Sequence, residues 1–391
     1  MTTLGATAAR YAPGGLAVRR FPLTPRPKPP CRPLSHRLDR AARLAAEAET
    51  GGDDALLHAA GACNLAALIA SDCAMPALAR DLCWQQFNAY ATTGPYSETT
   101  AKLGLQPLIN LGRLRIRDGD SVGGYRVLQS LYEAARSSGG QAAIDGRTVS
   151  ITALIASGST RETITEWLWA ILLTDGLRAL CQDGRWADAI SQARQHDGIG
   201  SRLLGGRQIA ILALAADGRH EEARQLLQKT NATEPWEHAV TACLRILIQA
   251  PDVASSSCAS AEMTRAFLAL VDPDHAMFMA CLGLTAAELA GLYSGQSALI
   301  SRVTRIAVHS SDAYIAREIL SSPPAVIVPK EGITQLHGIV RQSGLGRPLT
   351  EEQRHQLTTS ARVATTVLAA GLRSTSLAFG TRNTDSGKRN P

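Results

Sequence analysis

From Ser35 onward, apolar and polar positions recur with the period of an α-helix over most of the chain. Ser35 can cap the stretch HRLDRAARLAAEAE, whose apolar positions keep helical spacing. Similar runs follow, each about as long as one helix, and short segments rich in Gly, Pro or Asp separate them. The last run is the clearest, because Thr350 and Gln353 have the spacing of a capping box. One face of that helix would then carry Leu357, Ala361, Ala364, Leu368 and Leu372.

Four stretches interrupt this pattern. Before the first helix, FPLTPRPKPPCRP contains prolines that fix φ and remove N–H donors, which excludes a helix and favours an extended segment. IDGRTVSI combines a turn dipeptide with β-branched residues, as a small hairpin would. AVIVP is short and apolar and is interpreted as one strand. The final STSLAFGTRNTDSGKRNP has too little apolar content to fold.

These observations predict an all-α protein and divide the chain into six segments. They are a basic, Pro-rich, disordered arm (1–34), N-terminal helical hairpins (35–138), a loop or small hairpin (139–160), helical repeats (161–250), a C-terminal helical region (251–373) and a disordered tail (374–391).

The segment 161–250 repeats itself after 34 residues: DGRWADAI begins at Asp183 and DGRHEEAR begins at Asp217. Gly184 and Gly218 would permit the left-handed turn between two antiparallel helices. Ala189 and Ala223, five residues later, would let the second helix approach the first closely. Such a helix pair cannot bury its apolar face alone, so it must stack on a copy of itself.

This spacing resembles the tetratricopeptide repeat, a helix–turn–helix unit of about 34 residues. Gly184, Trp186, Ala189 and Ala193 match one unit, and Gly218, His220, Ala223 and Leu227 match the next. Degenerate units are indicated by Gly119, Gly124 and Leu128, and by Ala74, Ala79 and Cys83. The resemblance implies an α-solenoid, and the chain is similar to helical-repeat proteins common in actinobacteria and often linked to regulation.

In tetratricopeptide proteins the first helix of each unit usually lines a groove that holds a peptide or a partner's tail. On that basis Thr174, Arg178, Gln182 and Gln208 are the predicted partner-binding residues. Arg178 is suited to a carboxylate of the partner. We therefore expect a cytoplasmic, non-enzymatic interaction protein, regulatory in role, whose partner is a protein or peptide.

The charge is unevenly distributed, and this limits one class of partner. The net charge is +6, yet residues 1–38 contain seven Arg or Lys residues and no acid. The body of the chain is therefore mildly acidic, which argues against a general polyanion binder. We expect no membrane span and no secretory leader, and eight cysteines over this length suit a reducing cytoplasm.

One segment supports an alternative function. LTAAELAGLYSGQSALISRVTR, over about 284–306, resembles the helix-turn-helix of phage-repressor-like regulators. Bases would then be contacted by Gln296, Ser297 and Ser301, and phosphates by Arg302 and Arg305. The second alternative is an enzyme whose site is assembled between helices. No cofactor or metal motif is present, since the chain has no CxxC pair and no HExxH, Walker or GxSxG pattern; no oligomeric state is predicted.

Overall fold

The computed structural model describes residues 16–137, 139–155, 158–249, 257–291 and 295–384, with side chains for 17–374 within those ranges. The described chain is all-α apart from one β-hairpin, as the hydrophobic pattern predicts. It divides into two compact units. Within the described ranges, residues 16–32 and 173–343 form the arm unit, and residues 33–172 and 344–384 form the hairpin unit.

Each helix of the hairpin unit packs on its neighbours in sequence, and the C-terminal helix packs on the first three helices of the unit. The C-terminal α18 packs on α2, α3 and α4, so the first three helices are covered by a segment from the other end of the chain. The elements are α2 (Leu34–Glu49), α3 (Ala55–Asp72), α4 (Pro76–Ala91), α5 (Glu98–Arg117), α6 (Ser121–Arg136), β1 (Gln141–Ile144), β2 (Arg147–Ser150), α7 (Ser159–Ile171) and α18 (Glu351–Thr384).

The arm unit is a succession of helix pairs in which each helix also contacts its neighbours along the chain. Leu172–Gly176 forms a π-helical turn immediately before α8. The elements are α1 (Leu16–Arg19), α8 (Leu177–Gln182), α9 (Trp186–Gln195), α10 (Gly205–Ala216), α11 (His220–Gln228), α12 (Pro235–Leu247), α13 (Ser257–Ala269), α14 (Ala276–Ala290), α15 (Gln296–Ser310), α16 (Ala313–Leu320) and α17 (Lys330–Gln342).

The two turns that define the sequence repeat have the same geometry. Gly184 and Gly218 have φ values of 75° and 74°. After each glycine, the next N–H donates to the carbonyl five residues earlier, from Arg185 to Leu180 and from Arg219 to Leu214, both at 2.9 Å. This is the Schellman arrangement, which satisfies carbonyls at the end of a helix.

Small residues allow the helices after these turns to pack closely. Ala189, Ala193 and Ala223 are fully buried, and Leu227 is buried as well. The two corners are therefore equivalent in backbone geometry, and the helix after each is buried at its small residues.

The predicted corners at Gly119 and Ala74 are also left-handed. Gly119 has φ of 90°, and the N–H of Asp120 donates to Arg115 O at 2.9 Å. Ala74 has φ of 55°, and the N–H of Met75 donates to Ala70 O at 2.9 Å. Alanine at position 74 holds this left-handed conformation at a cost in free energy. The corner is therefore present although the sequence has no glycine at that position.

The predicted start of the last helix is present. The N–H of Thr350 donates to Gln353 Oε1 at 3.0 Å, and the N–H of Gln353 donates to Thr350 Oγ1 at 3.2 Å. Its predicted apolar face is buried, at Leu357, Ala361, Ala364, Leu368 and Leu372. The helix continues to Thr384, beyond the boundary expected at 373, and residues 385–391 of the expected tail lie outside the described residues.

Of the two short segments predicted to contain strands, one forms the hairpin and the other does not form a strand. In the interval 139–160, β1 pairs antiparallel with β2, and Ile144 lies opposite Arg147 across a turn formed by Asp145 and Gly146. AVIVP is not a strand, because Pro323–Ile327 forms a 3-10 helix. The preceding prolines favour that turn, since they begin a helical turn without needing an N–H partner.

Among the described helices, Ala55–Asp72 is long and apolar enough to span a membrane by length and composition. Half of that stretch is buried inside the unit, where the helix packs on α2, α4 and α18. A core helix of a soluble protein has the same features.

A buried carboxylate organises the start of α12. The side chain of Glu237 accepts hydrogen bonds from the N–H groups of Thr233 at 2.8 Å and Glu234 at 2.9 Å. Arg202 Nε also donates to Glu237, at 3.2 Å. Burial alone would raise the pKa of the Glu237 carboxyl, but these donors outweigh it and lower the pKa to about 2.

The repeat geometry predicts the effect of Gly218→Ala. No other atom lies within 4 Å of an added Cβ, so the cost is that of holding an L-residue in the left-handed region, about 1 kcal/mol. Gly218→Asn should cost less, because asparagine tolerates this conformation. Urea denaturation measures both, with Gly200→Ala as control, since Gly200 lacks positive φ and has equal space. Equal destabilisation by Gly200→Ala and Gly218→Ala would show that the left-handed conformation of Gly218 does not contribute to stability.

Glu237 predicts a dependence of stability on pH. Because its pKa is lowered on folding from about 4.3 in an unfolded chain, its ionised form stabilises the fold above about pH 4.5. That stabilisation is lost as the pH falls towards 2. The difference in unfolding free energy between wild type and Glu237→Gln should therefore be largest near neutral pH and shrink between about pH 4.5 and 2. A difference independent of pH would show that the charge of Glu237 contributes nothing.

Candidate functional site

The N-terminal arm is not disordered throughout, contrary to expectation. Residues 17–32, which we call the docked arm, are described and belong to the arm unit, while residues 1–15 lie outside the described residues. Prolines exclude a long helix, but apolar side chains between them are buried against the unit. They are Ala17, Val18, Phe21, Leu23 and Cys31.

The backbone of the docked arm is held by one glutamine. Gln208, on α10, is fully buried, and its Oε1 accepts the N–H of Leu23 at 2.7 Å. Its Nε2 donates to Leu23 O at 2.8 Å and to Leu203 O at 2.9 Å. A buried amide without such partners would carry a large desolvation cost, so this side chain and the arm backbone require each other.

A second predicted groove residue also holds the arm backbone. Nη2 of Arg178, on α8, donates to Pro22 O at 2.7 Å. Pro22 lies against Gly205 at the start of α10, where an added Cβ would come within 3.4 Å of its Cγ. Arg178 was expected to pair with a carboxylate of a partner, and here it binds a main-chain carbonyl instead.

Two carboxylates hold Arg20 of the docked arm. Its Nη2 lies 2.7 Å from Glu288 Oε1, on α14, and its Nε donates to Glu318 Oε1, on α16, at 2.8 Å. Burial alone would lower the pKa of the Arg20 guanidinium, but Glu288 and Glu318 outweigh it and raise the pKa. The arginine is therefore charged and paired inside the unit.

The end of the docked arm is fixed at the start of α16. Asp312 Oδ1 accepts the N–H of Cys31 at 3.0 Å, and the N–H of Ala313 donates to Cys31 O at 3.0 Å. Lys28 Nζ lies 4.4 Å from the centre of the Tyr314 ring, within cation–π distance. Asp312 also caps α16 through the N–H of Tyr314, so one carboxylate serves both the helix and the arm.

Four helices supply the side chains that hold Arg20, Pro22 and Leu23 of the arm. Arg178, Gln208, Glu288 and Glu318 lie on α8, α10, α14 and α16. Each of these helices is the first of a pair, followed by α9, α11, α15 or α17. We call this surface, together with Asp175 and Asp312, the groove.

A π-helical turn lies at one side of the groove. It contains Thr174 and Asp175, and Asp175 Oδ1 lies 3.8 Å from Arg26 Nη1 of the arm. π-helical turns are rare and often mark functional positions. Here the turn brings an acidic residue to the arm.

The four predicted partner-binding residues differ in their positions. Arg178 and Gln208 bind the arm directly. Thr174 is half-buried in the π-helical turn, and Gln182 is exposed at the end of α8. Whether any of them binds a separate partner stays a prediction.

The sequence reasoning missed Arg20 and its carboxylates. Arg20 was counted only as part of a basic arm, and Glu288 only as part of the helix-turn-helix resemblance. The usable signal was the pair of large apolar residues, Phe21 and Leu23, within a Pro-rich segment, because a solvated linker has no need of them.

The residues of the DNA-binding alternative lie on or beside α15. Ser297, Ser301 and Arg305 are exposed, while Gln296 Nε2 donates to Ala287 O at 2.9 Å. The guanidinium of Arg302 donates to the carbonyls of Phe267, Leu268 and Leu270. Arg302 is therefore engaged at the end of α13, and DNA binding stays a prediction.

The first helix of that alternative also differs from expectation. Thr285 is buried within α14 and its Oγ1 donates to Cys281 O at 2.8 Å. The helix around it begins at Ala276, eight residues before the start of the resembling segment at Leu284.

The structure adds little to the enzyme alternative. In the described parts of the chain, no three His, Cys, Asp or Glu side chains are grouped to hold a metal ion. A depression between α6 and α7 is lined by Tyr132, Arg136, Glu166 and Trp169, among others. Another between α4 and α18 is lined by Arg362, Thr365 and Arg373, among others.

The comparisons with known proteins give no relative for this chain. No family model, no curated protein and no solved structure matches it.

The anchoring of the arm predicts a contrast between adjacent arginines. Arg20 is buried and paired, whereas Arg19 is exposed. Removing one partner from a buried ion pair costs about 3 kcal/mol, so Arg20→Ala should speed arm release by roughly 100-fold. Arg19→Ala should have no effect.

The thiol of Cys31 measures that release, because it is buried when the arm is docked. Cys258, which is exposed, is first replaced by serine, and labelling of Cys31 is followed by mass spectrometry. Equal labelling rates in the two arginine variants would show that Arg20 does not anchor the arm.

Proposed function

We propose that the arm unit is a tetratricopeptide-like peptide-binding module, and that the protein acts as a non-enzymatic regulatory interaction protein. The hydrogen bonds of Gln208 to both backbone groups of Leu23 carry this proposal. A side chain that pairs with main-chain N–H and C=O holds an extended segment through its backbone, while side-chain pockets select its sequence.

The placement of the groove supports the proposal. The repeat turns at Gly184 and Gly218 are equivalent, and the residues that hold the arm lie on the first helices of four pairs, with none on α12 among these contacts. The tetratricopeptide resemblance implies a ligand on that surface. An α-solenoid built from these pairs is the architecture that the proposal requires.

The chemistry of the groove is that of recognition. Gln208 and Arg178 bind main-chain atoms, and Glu288 and Glu318 bind a guanidinium. These groups are engaged in hydrogen bonds and ion pairs with one polypeptide segment. We place the protein in the cytoplasm, where its eight cysteines, all thiols, would stay reduced.

The experiment uses the full chain with a weakened arm, Arg20→Ala with Phe21→Ala, so that the groove can open. Fluorescent peptides with the sequence of residues 16–32, and a pool of unrelated extended peptides, are titrated by anisotropy. We expect binding that Gln208→Leu weakens at least tenfold, because one buried main-chain pairing is lost. Gln228→Leu, at an exposed glutamine on α11 outside the predicted groove residues, should change binding less than twofold.

Absence of binding by every peptide would reject the peptide-binding module. Binding that survives Gln208→Leu unchanged would place the ligand elsewhere on the protein.

A further inference from the structure

We infer that the partner of the groove is a basic segment with an arginine two residues before the carbonyl that Arg178 binds, and that the docked arm is a resident copy of this motif. This inference rests on the proposed peptide-binding function. It adds the chemistry of the partner and states that the partner and the arm compete for the same residues.

The charge of the groove selects a cationic segment. Glu288, Glu318, Asp175 and Asp312 all face the docked arm, and three of them contact its Arg20 or Arg26 side chains. Arg178 is positively charged, but its guanidinium donates to a main-chain carbonyl of the arm, Pro22 O. An acidic segment would place carboxylates against Glu288 and Glu318, which like-charge repulsion opposes.

The motif is defined by the spacing between Arg20 and the backbone groups that Arg178 and Gln208 bind. Arg20 enters the carboxylate pair, Pro22 O receives Arg178, and both backbone groups of Leu23 pair with Gln208. Phe21 and Leu23 are buried between and beside these contacts. The recognised sequence is therefore arginine, a large apolar residue, proline and leucine, with the arginine in the turn that follows α1 and the proline in a bend.

The fit of the resident arm is incomplete. Nη1 of Arg20 and Oγ1 of Thr24 are buried and make no hydrogen bond. Each such group lowers the affinity of the segment that carries it, because its desolvation is not repaid. Residues 27–30 of the arm are exposed, between the buried stretch 20–24 and the anchored Cys31. A partner that lacks the unpaired hydroxyl can compete with the arm.

The test uses peptides with the sequence of residues 16–32 and the full chain in two forms, wild type and the weakened arm. The unmodified peptide should bind the weakened-arm protein at least tenfold more tightly than wild type, because the tethered arm competes. An Arg20→Glu peptide should lose at least 30-fold in affinity, whereas an Arg19→Glu peptide, with the same change of charge, should lose less than threefold. A Thr24→Val peptide should bind about fivefold more tightly than the unmodified one.

A variant of the groove checks the origin of the arginine preference. Glu288→Gln should reduce the difference in affinity between the unmodified and Arg20→Glu peptides at least fivefold. The Glu288 carboxylate pairs with arginine in the first peptide and repels glutamate in the second, and the substitution removes both effects. Glu331→Gln, a change on α17 outside the groove, is the matched control and should leave the difference intact.

The outcomes separate this inference from the function on which it rests. If peptides bind but Arg20→Glu binds as well as the unmodified sequence, the partner is not a basic motif, although the module still binds peptides. Equal affinity of wild type and weakened arm would show that the arm does not compete. Dimers that form through exchange of arms as concentration rises, with no binding of added peptide, would assign the groove to a second copy and overturn the inference. If no peptide binds and no dimer forms, the proposed function fails as well.

Discussion

The arrangement of the arm unit depends on one buried amide. Gln208 lies within an apolar helix, and such a side chain is stable there only when its donor and acceptor are both satisfied. Leu23 of the arm and Leu203 of the preceding loop supply those partners. The arm is consequently part of the unit although it lies 185 residues away in the sequence. Helix packing alone would leave the glutamine with an unsatisfied amide.

The same constraint connects stability with recognition. The contacts that hold the arm are of the kinds that bind peptides in trans, namely backbone pairing, a buried arginine with two carboxylates, and a cation over an aromatic ring. A segment held in this way is ordered by specific groups and not only by apolar burial. For that reason the docked arm is informative about the ligand that the groove can accept.

Local patterns predicted much of the fold and only part of the site. The helical period, the two equivalent Gly corners and the capping box of Thr350 follow from residues close in sequence, and the structure contains them. The resemblance to the tetratricopeptide repeat predicted that Arg178 and Gln208 line a binding surface. Both contact the docked arm, and binding of a separate partner stays a prediction. The arm was misread because Pro content and charge indicate an unstructured segment, whereas its docking depends on partners far away in the sequence, such as Glu288 and Glu318. The corner at Ala74 carries no glycine, so its geometry was only weakly encoded.

Amide hydrogen exchange of the segment 20–24 tests the account most directly. Pro22 has no N–H, and the N–H of Leu23 is donated to the buried Gln208. We predict that the Leu23 amide is strongly protected in the wild-type chain and that Gln208→Leu removes this protection while the core of α10 stays protected. Exchange of the Leu23 amide at the rate of an unstructured peptide in the wild-type chain would contradict the account.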